Sequence, residues 1–419
     1  MFQDLSGQVG VDVGTVKYVC CMFATYPLGF LFSRLPLGVS VKHFISLFIG
    51  AWFMQFIFYA QWIHSFAAIT GSYLMILVLP KQMMPYAVMT FVMVYIALSH
   101  LYRMYVDYMG WSLDFTGPQM ILVMKLSSMA FNIYDGRKLD KLQDTGDKRK
   151  DKVLATRRKY ALDNVPGPLA FYGYCYNFST ILTGPTFEFS EYVGAISRSA
   201  YLKAYGTSDM PSGNLAAMFT NLFVGLVMLG IHQTLGPMFP LSDLYSPAHL
   251  AMSIPERWVR AWVALWGCKA KYYFAWKVAE GGANAAGFGF TGYDKEGKST
   301  GWGGVCNMDI WAFETAQNFQ TSARAWNKGT QGWLERYVYI RTGNSLVAVY
   351  STSAVWHGFY PGYYLFFLSL PLATSAARAA RKKLRPYFMN DDGVTPGQLK
   401  PAYDLASLFV TNTFINYLV

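Results

Sequence analysis

The chain has 419 residues, of which 53% are hydrophobic and 14% are charged. Because an ordinary soluble domain is roughly 25% charged, this composition excludes a soluble globular protein and indicates an integral membrane protein. The net charge of +11 comes from 35 basic and 24 acidic residues, concentrated in a few loops. Such loops usually stay cytoplasmic and attract anionic lipids or phosphorylated substrates.

Stretches without Asp, Glu, Lys or Arg that are long enough to cross a bilayer recur along the chain. About 20 apolar residues suffice for one helical span, and the long uncharged stretches are 43–80, 82–102, 210–242 and 342–377. Shorter apolar candidates are 18–33, 166–183 and 405–419. A long stretch can hold two passes, or one pass and a re-entrant piece. We therefore predict an all-α integral membrane protein in a single domain over 1–419, a multi-span helical bundle of about eight to eleven helices, some re-entrant.

The first 160 residues contain the one strongly hydrophilic segment of the chain. The first residues, MFQDLSGQVG, lack the features of a cleavable signal peptide, so we expect the first span to direct insertion. Residues 103–117 mix aromatic and acidic side chains like an interfacial belt, and we expect Asp107 and Asp114 to be solvated or hydrogen-bonded rather than catalytic.

Residues 137–160 are rich in Lys and Arg, which predicts a cytosolic loop. No segment resembles a nucleic-acid module, so we expect no nucleic-acid partner.

Glycine-rich segments follow in the middle of the chain. In residues 166–192, Gly and Pro flank a short apolar piece, which predicts a broken or re-entrant element buried in protein. Glu188 in that segment either lines a site or pairs with a loop cation, and we favour the pairing. A helix predicted over 255–280 carries tryptophan at every fourth position from 258 to 266, which forms an aromatic stripe on one face, and it should lie near the interface. The sequence GFGFTG at 287–292 matches GxGxxG, but no strand precedes it, so we interpret these glycines as turn and close-packing residues.

Most familiar catalytic and metal motifs are absent. The five cysteines include no CxxC pair, which argues against a structural zinc or a disulfide framework. HExxH, GxSxG and the P-loop are missing, and no histidine has an Asp five residues later, as the HxxxxD acyltransferase motif requires. His43 and His64 bracket an apolar span and are expected at the membrane interface. His357 lies inside the uncharged stretch 342–377, where an ionisable group is costly. These residues alone favour a catalytic base and a structural histidine about equally.

Two long motifs change that balance. WNKGTQGWLERYVYIR at 326–341 and SAVWHGFYPGYYLFF at 353–367 together resemble the paired signature of the membrane-bound O-acyltransferase family. The detailed form is similar to its lysophospholipid acyltransferase branch, as are the segments at 272–294, 182–192 and 132–137. The resemblance spans most of the chain, and the two motifs are highly specific in combination.

The resemblance implies that His357 is the catalytic histidine and Asn327 its polar partner. A neutral imidazole near its usual pKa of about 6.5 can take a proton from the glycerol hydroxyl of a lysophospholipid, which then attacks the thioester of acyl-CoA. Asn327 would hold the imidazole or donate to the oxyanion; the alternative is a helix-terminus hydrogen bond. Other candidates for substrate contact are Trp326, Lys328, Trp333, Arg336, Arg341, Trp356 and Glu188.

The implied setting is a buried reaction chamber within the bundle, in the endoplasmic reticulum membrane. Acyl-CoA is the expected co-substrate, with no tightly bound cofactor and no metal, and the partners are a lysophospholipid and membrane lipids; the sequence predicts no oligomeric state. Lys328, Arg336 and Arg341 either meet phosphate groups or are snorkelling cations at a helix end, and both interpretations stay open. Relatives of this branch continue with further apolar helix beyond the position that matches 403–419. The chain is therefore expected to be either a natural short form or a fragment, and if helices are missing the chamber wall is incomplete.

Alternative functions use the same features differently. Within the family, the acceptor would be a sterol, diacylglycerol or a protein instead of a lysophospholipid. In another class, His357 would be the proton relay of a membrane transporter, although no inverted repeat is visible. An inactive scaffold is the third alternative.

Overall fold

The computed structural model describes residues 1–110, 112–138, 144–199, 210–390 and 392–418. Three predicted features fall partly outside these residues: the cytosolic loop at 139–143, the interfacial belt at Trp111 and the last apolar candidate at Val419. Over the described ranges the chain is helical, with only two isolated β-bridges. The predicted all-α class is confirmed.

The helices follow one another through most of the chain. The first are α1 (Phe2–Val9), α2 (Val13–Arg34), α3 (Val39–Phe58), α4 (Trp62–Val78), α5 (Met84–Val106), α6 (Thr116–Gly136), α7 (Lys148–Tyr160), α8 (Pro168–Cys175) and α9 (Phe189–Ser197). The others are α10 (Asn214–Met238), α11 (Pro247–Leu250), α12 (Ile254–Ala285), α13 (Ile310–Glu314), α14 (Phe319–Ala325), α15 (Lys328–Trp333), α16 (Leu346–His357), α17 (Pro361–Leu384) and α18 (Lys400–Leu418). A π-helical stretch, Leu334–Tyr339, and a 3₁₀ turn, Ile340–Thr342, follow α15 directly.

Four helical stretches of the described chain have the length and apolar composition to cross a bilayer. They are Val13–Arg34, Val39–Val78, Met84–Val106 and Asn214–Tyr245. The uncharged stretch 342–377 is divided instead, because α16 has 12 residues and ends at His357. A helix of that length covers about 18 Å, less than the roughly 30 Å of the hydrocarbon core. His357 therefore lies at the end of a short helix rather than within a continuous span.

The chain forms two compact units, each assembled from separated segments. The first unit consists of Met1–Leu222, Val278–Cys306 and Gly332–Phe359, and the second of Phe223–Lys277, Asn307–Gln331 and Tyr360–Val419. His357 belongs to the first unit and Asn327 to the second. The single domain over 1–419 stays a prediction.

In the first unit, α3 and α4 form a hairpin that holds the short helix α8. The contacting pairs are Ser46 with Gly173 and Gly50 with Tyr176 for α3, and Ser65 with Tyr176 and Thr70 with Tyr172 for α4. From the start to the end of α3, its partners on α8 and the following Tyr176 increase in residue number, whereas along α4 they decrease. Helices α3 and α4 are therefore antiparallel. Since α8 has only eight residues and its inner face is buried, the segment 166–192 is broken and enclosed in protein, as predicted.

A buried lysine satisfies the end of α8. The side chain of Lys125 on α6 is fully buried, and its Nζ lies 3.0 Å from both the Tyr174 carbonyl oxygen and Thr180 Oγ1. The last carbonyls of a helix have no donor within the helix. The ammonium group of Lys125 supplies such a donor where α8 stops inside the protein.

Helices α4, α5 and α6 alternate in direction. The neighbouring pairs between α4 and α5 are His64 with Tyr95 and Gly71 with Phe91. For α5 and α6 they are Tyr86 with Phe131, and Arg103 with Asp114, which lies just before α6. The end of α6 therefore lies on the same side as the start of α3 and of α5. The hydrophilic segment with α7 follows on that side. Its excess of Lys and Arg predicts that this side faces the cytoplasm.

The first motif runs along α6, and the second returns beside it. The contacts are Trp333 Nε1 to Ser127 Oγ at 2.9 Å, Tyr337 Oη to Asn132 Oδ1 at 2.9 Å, Arg341 Nη1 to Asp135 Oδ1 at 2.9 Å, and Trp356 Nε1 to the Met120 carbonyl oxygen at 3.0 Å. Met120 precedes Asp135 by fifteen positions, which corresponds to about 22 Å along a helix. His357, next to Trp356, is therefore held far from the end of α6 that carries Asp135.

Candidate active site

His357 is the last residue of α16, a helix whose start is capped by Ser345. The Ser345 hydroxyl accepts a hydrogen bond from the Ala348 N–H at 3.2 Å. At the other end, His357 Nδ1 lies 2.7 Å from the carbonyl oxygen of Ser353. A carbonyl oxygen can only accept, so Nδ1 carries the hydrogen and a neutral ring keeps its lone pair on Nε2. The half-buried imidazole thus has the tautomer of a base that acts through Nε2.

Trp356 fixes the backbone next to this histidine. Its indole N–H donates to the Met120 carbonyl of α6, and its ring centroid lies 6.3 Å from that of Trp333. Both tryptophans are buried, at 4% and 2% exposure. The structure therefore places Trp333 and Trp356, predicted to contact substrate, within the packing that supports His357. Their contact with substrate stays a prediction.

Asn327 belongs to the second unit, immediately precedes α15 and has an unusual backbone conformation. Its φ of 44° lies in the left-handed region, which asparagine tolerates better than most residues. Its Oδ1 accepts a hydrogen bond from Thr330 Oγ1 at 2.9 Å. Because the oxygen is engaged in this way, Nδ2 is the group of this half-buried amide that remains to donate. Asn327 thus accepts a side-chain hydrogen bond from the first turn of α15 and keeps an amide donor.

A second asparagine holds the turn that carries Asn327. The Asn307 carbonyl oxygen accepts from the Lys328 N–H at 2.8 Å, and Asn307 Oδ1 accepts from the Gly329 N–H at 3.0 Å. The first N–H groups of a helix have no partner within it, so Asn307 caps α15 from another segment. Asn307 and Thr330 were not predicted, because Asn307 lies outside both motifs and the resemblance gives no role to Thr330 within the first motif. Lys328 itself is exposed.

Trp326 anchors the same turn in an aromatic cluster of the second unit. Its ring centroid lies 6.1 Å from Tyr273, 5.0 Å from Trp276 and 4.9 Å from Phe313. Next to Phe313 of this cluster, Lys269 Nζ pairs with Glu314 Oε1 at 2.8 Å. The tryptophan that precedes Asn327 is therefore held by packing, and its predicted contact with substrate stays a prediction.

The two motif arginines of the first unit are paired with buried carboxylates. Arg336 Nη2 lies 2.9 Å from Glu188 Oε1, and Glu188 Oε2 accepts from Asn132 Nδ2 at 2.8 Å. Arg341 makes a bidentate pair with Asp135, which also accepts from Arg157 of α7. Glu188 pairs with a cation, as we favoured, but the cation belongs to the motif rather than to a loop. These carboxylates occupy guanidinium donors that a phosphate group would otherwise bind.

The other residues considered in the sequence analysis make structural contacts. His43, expected at the interface, is instead buried at 6% exposure, with Nδ1 3.0 Å from Tyr192 Oη. Asp114 pairs with Arg103 at 3.0 Å. The glycines at 287–292 serve turns and close packing, because Gly287 and Gly292 have positive φ and a Cβ on Gly289 would lie 1.7 Å from Asn284 Oδ1. In the part of the chain that the structure describes, no group of three or more His, Cys, Asp or Glu has the arrangement of a metal site.

Comparison with known proteins gives a consistent result. Residues 100–419 match the family described as MBOAT, the membrane-bound O-acyltransferase family. The mouse membrane-bound glycerophospholipid O-acyltransferase 2 is 33% identical over 439 residues, covering 100% of this chain and 81% of the relative. The lysophospholipid acyltransferase of Schizosaccharomyces pombe is 28% identical over 431 residues, covering 100% and 82%. The human membrane-bound glycerophospholipid O-acyltransferase 1 is 31% identical over 433 residues, covering 99% and 84%.

Proposed function

Because this chain belongs to the membrane-bound O-acyltransferase family, we propose that it transfers a fatty acyl group from acyl-CoA to the free glycerol hydroxyl of a lysophospholipid. The similarity to enzymes named for glycerophospholipid and lysophospholipid acylation supports this acceptor. The product would be a membrane glycerophospholipid. In this proposal the enzyme has two substrates: acyl-CoA, which approaches from the cytoplasm, and a lysolipid, which approaches from the bilayer.

The hydrogen bond between His357 Nδ1 and Ser353 carries the chemical part of this proposal. It leaves the lone pair on Nε2, which takes the proton of the glycerol hydroxyl as its oxygen attacks the thioester carbonyl. A C–O bond forms and a tetrahedral oxyanion results. When the C–S bond breaks, the imidazolium returns the proton to the departing CoA thiolate. His357 thus ends the cycle neutral, and no covalent acyl-enzyme is required.

Asn327 is proposed to donate to the oxyanion through Nδ2. This role follows from the family resemblance and is supported by the bond from Thr330 to Asn327 Oδ1, which directs the amide so that Nδ2 remains as the donor. A single oxyanion donor contributes roughly 3 to 4 kcal/mol to transition-state stabilisation.

The depth of His357 fits a lipid acceptor. Trp356 contacts α6 about 22 Å from Asp135 at its predicted cytoplasmic end. The hydrocarbon core is about 30 Å thick, so a base at that depth would lie within the membrane, where a lysolipid can enter the protein sideways from the bilayer. Arg336 and Arg341 would contact phosphate only with the donors that Glu188 and Asp135 leave, so we propose for them a mainly structural role.

Acyl transfer by purified protein tests the proposal. Wild type, His357→Ala, Asn327→Ala and the control His64→Ala would be reconstituted in nanodiscs with labelled acyl-CoA and a panel of lysophospholipids, a sterol and diacylglycerol. We expect wild type and His64→Ala to acylate lysophospholipids. Loss of the base should lower the rate by about 10²- to 10⁴-fold, and loss of Asn327 by about 10²- to 10³-fold. Transfer only to the sterol or diacylglycerol, or equal rates for wild type and His357→Ala, would refute the proposal.

We also propose the endoplasmic reticulum membrane as the location of the protein. The chain is a multi-span membrane protein, and the resemblance to enzymes of phospholipid synthesis favours this compartment. Fractionation of cells that express a tagged chain should recover it with reticulum markers; recovery with plasma-membrane markers would contradict this location.

A further inference from the structure

The C-terminal end of α16, next to the proposed base His357, leaves a backbone carbonyl without a donor inside the helix. Gly358 follows His357 with φ 116° and ψ −165°, a conformation that is essentially restricted to glycine. The Gly358 N–H closes the last helical hydrogen bond, to the Ala354 carbonyl at 3.1 Å. Beyond that bond the chain leaves the helix, so the carbonyl of Trp356 needs a donor from elsewhere.

That donor is His100, which comes from α5. His100 Nε2 lies 3.1 Å from the Trp356 carbonyl oxygen. Since the carbonyl can only accept, the hydrogen of the neutral His100 ring is on Nε2. The His100 side chain is buried, with 8% exposure, so this bond is shielded from competing water. Trp356 is thereby held at two points. Its carbonyl oxygen accepts a hydrogen bond from His100 of α5, and its indole N–H donates one to the Met120 carbonyl of α6.

The same imidazole also covers the residue after His357. A Cβ built on Gly358 would lie 3.4 Å from His100 Cγ and 3.5 Å from His100 Nδ1, which is van der Waals contact. The ring of His100 therefore bonds to the residue before the proposed base and occupies the space into which a side chain on the residue after it would point. A shift of this ring would change the direction in which the His357 side chain leaves the helix.

We infer that His100 is a positioning residue, which sets the orientation of His357 through the Trp356 carbonyl and the Gly358 backbone. It acts on a neighbour of the base and does not contact the reacting atoms. This inference rests on the proposed function, because it assigns His100 a part in the reaction of His357. Misplacement of a reacting group by about 1 Å can cost 10²-fold in rate. Removal of the Nε2 donor should therefore lower kcat and leave substrate binding nearly unchanged.

Two substitutions of His100 separate the hydrogen bond from the packing. His100→Phe keeps a ring but removes the donor, whereas His100→Gln keeps an N–H that can reach the carbonyl. His64→Phe is the matched control, because His64 is a part-buried histidine whose ring contacts Tyr95 and Phe115. Each variant would be measured in nanodiscs for kcat, for KM of both substrates and for unfolding temperature.

We expect His100→Phe to lower kcat by about 10- to 100-fold, with KM values within about twofold of wild type. His100→Gln should recover most of the rate, and His64→Phe should retain it. If His100→Phe does not fold, His100→Asn replaces it, because its shorter amide does not reach the Trp356 carbonyl. A folded His100→Phe or His100→Asn enzyme with wild-type kcat would overturn the inference, as would a change confined to KM or an equal loss in His100→Gln.

The design separates this inference from the proposed function. If wild type acylates no lysophospholipid, the proposed function fails and the inference fails with it. If wild type is active, His357→Ala is inactive and His100→Phe is unimpaired, only the positioning role fails. A reduced kcat in His100→Phe, restored in His100→Gln at an unchanged unfolding temperature, supports both.

Discussion

Asp135 at the end of α6 connects the first motif to the hydrophilic helix α7. Its side chain is 1% exposed and pairs with Arg341, which is 8% exposed, and with Arg157, which is 25% exposed. Asp135→Asn keeps the shape of the side chain but removes its charge. The Arg341 guanidinium then stays buried beside a neutral amide, and its Nε already has no hydrogen-bond partner among the described residues.

The burial of this pair sets the expected magnitude. Removal of one partner of a buried ion pair costs about 3 to 5 kcal/mol, because the other charge is left uncompensated. Asp135→Asn should therefore lower the free energy of unfolding by that amount. Asp144→Asn is the matched control, since Asp144 pairs with Arg158 of α7 but is 64% exposed. Exposed pairs contribute about 0 to 1 kcal/mol.

Unfolding by sodium dodecyl sulfate, followed by tryptophan fluorescence in mixed micelles, measures both variants on one scale. The double variant Asp135→Asn with Arg341→Met should recover part of the loss, because it removes the unpaired buried cation. Equal destabilisation by Asp135→Asn and Asp144→Asn would refute the reasoning. A double variant less stable than Asp135→Asn alone would show that the arginine contributes by packing rather than by charge.

Three further predictions concern single contacts. Thr330→Val should fold normally yet lower kcat by about tenfold, because the Asn327 amide loses the donor that orients it; wild-type turnover would contradict this role. Gly358→Ala should cost about 1 to 3 kcal/mol in unfolding free energy and lower activity, because alanine resists this φ; Gly362→Ala, at an exposed helical position with open space, is the neutral control. Lys125→Met should destabilise by about 1 to 3 kcal/mol for each carbonyl or hydroxyl left unpaired, measured by thermal unfolding, and an unchanged unfolding temperature would refute its capping role.

Hydropathy predicted the membrane class, and resemblance identified the two motifs. Neither predicted which contacts hold the motifs in the folded protein. Composition identified 342–377 as long enough to span, yet α16 ends at His357 within it. The breakers Gly358 and Pro361 stand in the sequence, but a hydropathy average does not register the conformation they impose. Such local signals would have placed the helix end correctly.

The pairing of the motif arginines was beyond sequence reasoning for a different reason. Arg336 and Glu188 are 148 positions apart, and Arg341 and Asp135 are 206 apart. No local pattern encodes contacts at that separation, so phosphate binding and snorkelling both stayed plausible for these cations. His100 was missed for the same reason, because its partner carbonyl lies 256 positions away.

The contacts of Trp333, Tyr337 and Arg341 with α6 determine how this motif tolerates changes in length. Their partners Ser127, Asn132 and Asp135 are fixed in order along one helix. Deletion of one residue between 334 and 340 would move the later contacts out of register together, whatever residue was lost. The exposed turn at 343–344 carries no such side-chain contact in the described structure, so it can absorb a change in length. Homologous chains should therefore vary in length at that turn and keep a constant number of residues from 333 to 341.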